Sequence, residues 1–191
     1  RSSLQVAPQK KRLMIIGGGP SGLEAARTAS LRGHDVTLYE RSVDVGGQVN
    51  LAARGAGRQR LGEVVRNLDR SIQGLDITLM TNTEVTVDLV KSESPDVVIV
   101  ATGSSPVDKP LPGDYGSPQV VNVWDVLGEA YPIGETVLFI DENGGHHATA
   151  TAEVLLDQGK KVDIITSDLF IGIGIAAIGD LYGSRQRLLK K

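Results

Sequence analysis

With 191 residues and 40% apolar content, the chain can bury the core of one large domain or two small ones, while a net charge of −3 leaves no broad cationic face for nucleic acid. The absence of cysteine excludes disulfides, thiolate catalysis and cysteine-ligated zinc or iron–sulfur centres within these residues. The apolar run Phe170 to Gly179 is about half the length of a bilayer span, so neither a membrane partner nor a signal peptide is expected, and a cytoplasmic location fits.

In chain order, the basic cluster Lys10, Lys11 and Arg12 reads as a solvated terminus, and "RLMII" (Arg12 to Ile16) as a short strand. Its lack of alternation suits a parallel strand covered on both faces. A helix is predicted from about Ser21 to Arg32, with Gly22, Ala25, Ala26 and Ala29 as an inward ridge of small residues. "HDVTLYE" is the next strand, and Leu61, Val64, Val65, Leu68 and Ile72 recur with the period of an amphipathic helix. Strands follow from Asp76 ("DITLMT") and over Asp96 to Gly103 ("DVVIVATG"). Prolines and glycines between Ser104 and Gly134 predict a crossing between domains. The pattern restarts near Glu135 with strand "TVLFID", helix Ala148 to Asp157 and strand "KVDIITS", and the last helix is expected from about Ile178 onward.

Alternation of strand and helix predicts an α/β fold: a Rossmann-like doubly wound parallel sheet, followed by a second, incomplete Rossmann-like βαβ unit. The expected domains are 1–115, a linker over 116–133, and 134–191. Because the chain opens on Arg1 rather than methionine, it reads as part of a larger protein.

Gly17, Gly19 and Gly22 satisfy G-x-G-x-x-G between the first strand and its helix. Such glycines permit the tight turn, backbone approach to a pyrophosphate, and close helix packing, while the helix N-terminus favours negative charge. A tight turn without a ligand is the alternative reading. Glu40 ends the second strand eighteen residues after Gly22, where a carboxylate can accept hydrogen bonds from ribose hydroxyls and would repel a 2′-phosphate.

"GGGPSGLEAA", "YERSVDVGGQ" and "VVIVATGSSP" together resemble the nucleotide-binding portion of the two-dinucleotide-binding-domain flavoproteins. Within these the chain is most similar to the C-terminal region of multidomain old-yellow-enzyme relatives, such as 2,4-dienoyl-CoA reductase and trimethylamine or histamine dehydrogenase. The resemblance covers Lys10 to about Leu127 well and the remainder weakly. It implies that Gly17, Gly19, Pro20, Ser21 and Gly22 cradle a pyrophosphate, Glu40 holds the adenosine ribose and Arg41 lies along the adenine. It further implies Gly47 and Gln48 beside the cofactor, Val85 on a short strand offering backbone contacts to adenine, and Ala101, Thr102 and Gly103 in the turn that closes over the dinucleotide.

The cofactor implied for the first domain is FAD, relaying electrons between NAD(P)H and a flavin site, or ADP alone in a non-catalytic module. The flavin barrel with its FMN and iron–sulfur cluster would lie N-terminal to Arg1 as a partner domain of the parent chain. In the second unit, laying the turn after "TVLFID" on the first puts Asp141, Asn143 and His146 at the glycine positions, which disfavours tight NAD(P) binding. His146 and His147, adjacent on a helix, point about 100° apart and read as helix start rather than metal ligands. "IAAIGD" (Ile175 to Asp180) matches the glycine–aspartate flavin signature of these proteins superficially and reads as an incidental helix start. No nucleophilic triad or paired-carboxylate site is legible, so redox chemistry would be the cofactor's.

Overall fold

The computed structural model describes residues 4–107 and 119–191, and the part of the predicted crossing that falls on 108–118 lies outside the described residues. Contacts divide the chain into two units, Arg1–Asn50 with Arg60–Ser105, and Leu51–Gln59 with Pro106–Lys191.

In chain order, the elements that begin in the first unit are β1 (Arg12–Ile16), α1 (Pro20–Leu31), β2 (Asp35–Tyr39), α2 (Gln48–Ala52), α3 (Gly62–Ile72), β3 (Ile77–Met80), α4 (Val87–Glu93) and β4 (Val97–Val100). The sheet order is β3-β2-β1-β4, with every pairing parallel. Register sets Ile16 against both Tyr39 and Val100, so the three strands end level. The consequence is functional: Gly17, Glu40 and Ala101 emerge side by side. Gly17 N–H donates to the Tyr39 carbonyl at 2.8 Å and Ala101 N–H to that of Ile16 at 2.8 Å, extending the ladder by one step.

Leu13, Ile15, Val36 and Leu38 form the buried core with Leu23, Ala26 and Ala29 of α1 and Ile72 of α3. The small ridge on α1 lets the helix lie close to the sheet, as predicted. On α3 the inward line is Val65, Leu68 and Ile72, while Val64 is 46% exposed. Two expectations change. Helix α4 was not read from the sequence; it starts where Thr86 Oγ1 accepts the Leu89 N–H at 3.2 Å. Val85 lies in the loop before it and not on a strand, because this loop turns through Asn82 at φ +51° and the Thr83 N–H bonds to the Glu40 carbonyl rather than to a ladder.

The second unit contains α5 (Val123–Leu127), β5 (Thr136–Asp141), α6 (His146–Asp157), β6 (Lys161–Thr166) and α7 (Leu181–Leu188). Helix α5 interrupts the expected linker with a capping box, in which the Asn122 side chain accepts the Asp125 N–H and the Asp125 carboxylate accepts the Asn122 N–H. β5 and β6 pair in parallel, and α6 buries Ala148, Ala152 and Leu155 against Phe139. α6 begins two residues before the predicted Ala148. The final segment forms a 3₁₀ turn over Ile173–Ile178, bounded by Gly172 and Gly179 at φ +79° and +81°, and only then α7. α7 is tied to α6 by Glu153, 5% exposed, whose carboxylate bonds Arg187 Nε at 3.0 Å and Lys191 Nζ at 3.2 Å.

Candidate functional site

The level strand ends and the start of α1 gather most of the predicted residues at one edge of the first sheet. Gly17 has φ +107°, and a Cβ there would lie 2.4 Å from the Ala101 carbonyl oxygen. A Cβ on Gly22 would lie 1.8 Å from the Gly17 carbonyl oxygen. The fold itself demands glycine at both positions. Gly19 is different. It caps α1 with ordinary extended angles, φ −71° and ψ 177°, and a Cβ there would meet nothing within 4 Å. No side chain caps α1, and Pro20 contributes no N–H, so the amides of its first turn face open space beside Gly19.

Glu40, 7% exposed, stands at the neighbouring strand end. Its Oε2 accepts the Gly18 N–H at 2.6 Å and its Oε1 the Ser42 N–H at 2.7 Å. These two amides hold the carboxylate in one orientation at the rim of the glycine turn. Arg41, Ser21, Gly47, Thr102 and Gly103 are exposed around it. The Gly46 N–H bonds the Gly18 carbonyl at 2.8 Å, and a Cβ on Gly47 would lie 3.5 Å from the Gly19 Cα, so the 46–47 loop walls the open space. Gln48 Nε2 donates to the Ser104 carbonyl at 2.7 Å, joining that loop to the turn after β4. Gly18, Ser42 and Ser104 were not singled out from sequence, and their roles rest on backbone groups that no residue type announces. Val85 lies two residues beyond Thr83, whose N–H contacts the Glu40 carbonyl at 2.9 Å.

The second strand-to-helix turn is built otherwise. Four residues, 142–145, connect β5 to α6, whereas 17–19 connect β1 to α1. Counted back from the helix, Gly145 stands at the cap position of Gly19 and Ala148 at that of Gly22, so a glycine survives at the cap, contrary to the superposition made from the strand. Asp141, 3% exposed, accepts the Asn143 and Gly144 N–H groups on Oδ1 at 3.1 and 2.8 Å. His146 opens α6 with Nε2 3.1 Å from Asp180 Oδ2 and 3.2 Å from Arg58 Nη1. Burial, then the Arg58 charge, holds its imidazole below the ordinary value of 6.5, against the opposing pull of Asp180. Asp180 and the 3₁₀ turn thus serve the start of α6.

Residues 11–168 match the family model described as pyridine nucleotide-disulphide oxidoreductase. The chain belongs to this family. Within it, the chain is 38% identical over 167 residues, 87% of its length, to a probable N-methylproline demethylase of Rhizobium meliloti, and 34% identical over 184 residues, 92% of its length, to N,N-dimethylglycine/sarcosine dehydrogenase of Chromohalobacter salexigens. These alignments take in 24% and 26% of the two relatives, so the chain spans about a quarter of their length. Among solved structures, histamine dehydrogenase from Rhizobium sp. 4-9 superposes with a TM-score of 0.89 at 25% identity, covering 99% of this chain and 31% of that one. A 2-naphthoyl-CoA reductase complex gives 0.83 at 33% identity, covering 98% and 28%. The predicted kinship with old-yellow-enzyme-like flavoproteins and the Rossmann-like parallel fold both hold. This pyridine nucleotide-disulphide oxidoreductase region is related to these enzymes, and the family implies FAD and NAD(P) binding. Among the described residues, no helix is long and apolar enough to cross a membrane.

Proposed function

We propose that the first unit binds an adenosine diphosphate moiety, and that it does so as the FAD-binding part of a larger, cytoplasmic flavin-dependent oxidoreductase. The observation that carries this reading is the open space at Gly19. Sterics account for Gly17 and Gly22, but nothing within 4 Å requires glycine at 19. A ligand's pyrophosphate approaching the uncapped amides of α1 does require it.

In this reading Gly17 makes the turn, and Gly19, Ser21 and Gly22 present backbone to the phosphates, with Pro20 fixing the first turn. Glu40, oriented by Gly18 and Ser42, accepts hydrogen bonds from the ribose hydroxyls and repels a 2′-phosphate. Arg41 lies along the adenine, which also meets the backbone near Val85. Gly47, Gln48, Ala101, Thr102 and Gly103 line the path of the ligand beyond the pyrophosphate. FAD bound there supplies two-electron redox chemistry, and these residues hold and orient it. The electrons would pass between a nicotinamide and a flavin site in an N-terminal barrel of the parent chain, where FMN and an iron–sulfur cluster belong.

A second reading, a non-catalytic ADP-binding module, is favoured by one observation, the acid-filled turn before α6. Mass spectrometry and visible absorbance of the ligand released from the purified parent protein separate the two. FAD with flavin bands supports the relay; ADP from a protein without a second flavin supports the module. Release of neither nucleotide, with no saturable ADP or FAD binding by calorimetry, overturns both.

A further inference from the structure

The family implies NAD(P) in the second unit, and the residues present do not fit it. We propose that this unit carries its own anion in place of the nucleotide's phosphates. The carboxylate of Asp141 takes up two turn amides, and Ile173 and Gly174 pack on Gly144 in the turn before α6, so that the unit folds as a dinucleotide domain but does not bind NAD(P).

Three sets of contacts support this. First, Asp141 is 3% exposed and spends Oδ1 on the Asn143 and Gly144 amides at 3.1 and 2.8 Å. In a phosphate-binding turn, such backbone donors face the ligand. Here two of them are taken by a fixed negative charge, where the first unit gives up one, that of Gly18, to Glu40, and an incoming pyrophosphate would have to displace a covalently tethered competitor. Second, the turn is covered. The Gly174 N–H donates to the Gly144 carbonyl at 2.9 Å, and a Cβ built on Gly144 would lie 3.0 Å from Asp168 Oδ2, 3.0 Å from Ile173 Cγ2 and 3.1 Å from the Gly174 nitrogen. At Gly145, the counterpart of Gly19, a Cβ would meet only His147 Nδ1 at 3.4 Å and the Asn143 carbonyl oxygen at 4.0 Å, so the cover lies over Gly144 and not over the cap. Third, the surrounding charge has the wrong sign. Asp168 lies against the turn and Asp180 engages His146 at the first position of α6, so an incoming pyrophosphate would enter beside three carboxylates. At the end of β6, where the first unit has Glu40, the chain has Thr166 and Ser167. Thr166 Oγ1 is occupied by the Asp168 N–H at 3.2 Å, and the first carboxylate beyond this strand, that of Asp168, lies against Gly144 in the turn.

The inference is independent of which ligand the first unit holds, and its test uses two measurements on the purified chain. In calorimetric titrations of the chain first saturated with ADP, which occupies the first unit, neither NADH nor NADPH should give further saturable heat; a micromolar dissociation constant for either under that condition overturns the proposal. The second measurement asks whether Asp141 stands in for phosphate. Asp141→Ala should lower the melting temperature in chloride buffer by roughly 5 °C, through the unpaired turn amides. Inorganic phosphate should then recover at least half of that loss, beyond the response of the unsubstituted chain to the same buffer. Equal responses of the two proteins to phosphate overturn the stand-in role. If Asp141→Ala does not fold, Asp141→Asn is used, which keeps an acceptor for both amides and removes the charge. It should show a smaller phosphate recovery of the same sign, and its absence is equally decisive.

Discussion

The two strand-to-helix turns start from the same architecture, a parallel strand feeding a helix that caps on glycine. At the first, Gly19 opens onto free space and the carboxylate at the rim, Glu40, belongs to the adjacent strand end. At the second, Gly145 caps the helix, but Asp141 at the end of β5 takes two loop amides from within, and Ile173 and Gly174 lie against Gly144 from outside. Glycine at the cap is therefore common to both turns, and neither helix has a side-chain cap. The turns differ in how many loop amides a carboxylate takes up: one, that of Gly18, by Glu40 at the first, and two, those of Asn143 and Gly144, by Asp141 at the second.

The sharpest way to break this comparison is Gly22→Ala. Its Cβ would sit 1.8 Å from the Gly17 carbonyl oxygen, against backbone that cannot yield cheaply, so stability should fall by about 3 kcal/mol, read by denaturant unfolding. The corresponding position of α6 already carries Ala148, buried without such a collision, and Ala148→Gly should cost only about 1 kcal/mol. Next comes Gly19→Val, which fills the open space rather than a packed contact. ADP affinity should drop at least about 100-fold, close to 2.7 kcal/mol, with the melting temperature little changed. Undiminished affinity in calorimetry would refute the site. Glu40→Gln should weaken ADP about tenfold, near 1.4 kcal/mol, since one amide oxygen replaces two carboxylate acceptors. An unchanged dissociation constant would remove Glu40 from the ribose.

The smallest effect is a pH dependence confined to the second turn. His146 is held below its ordinary 6.5 by burial and Arg58, so the fold favours its neutral form. The unfolded chain then binds more protons just below pH 6.5, and the associated stability, present above that value, is lost as pH falls toward the depressed native pKa. His146→Gln should flatten the melting-temperature profile between neutral and mildly acidic pH. Pro20, at the equivalent start of α1, has no proton to exchange. Parallel profiles for His146→Gln and the unsubstituted chain would discard this account.

What the sequence disclosed follows from the range of the interactions. The β1–α1–β2 unit, its glycine spacing and the acid at 40 are local patterns, so they could be read directly. Helix α4 escaped because its seven residues carry little periodicity and its start rests on one Thr86 hydroxyl. Val85 was misassigned because the Glu40–Thr83 contact joins residues far apart in the chain. The closure of the second turn was illegible for the same reason: Gly144 and Gly174 meet across an intervening helix and strand, and only the assembled chain reveals that contact. The acids at the turn were visible, whereas the fact that Asp141 turns inward onto its own loop was not.

The collisions that forbid side chains at Gly17 and Gly22 carry a kinetic consequence. With backbone of β1, α1 and the turn after β4 in near contact at these glycines, the first crevice is shaped by the fold itself. The binding proposed for it would then require encounter and orientation but no rearrangement, so variants that weaken the hold should differ in residence time far more than in association rate.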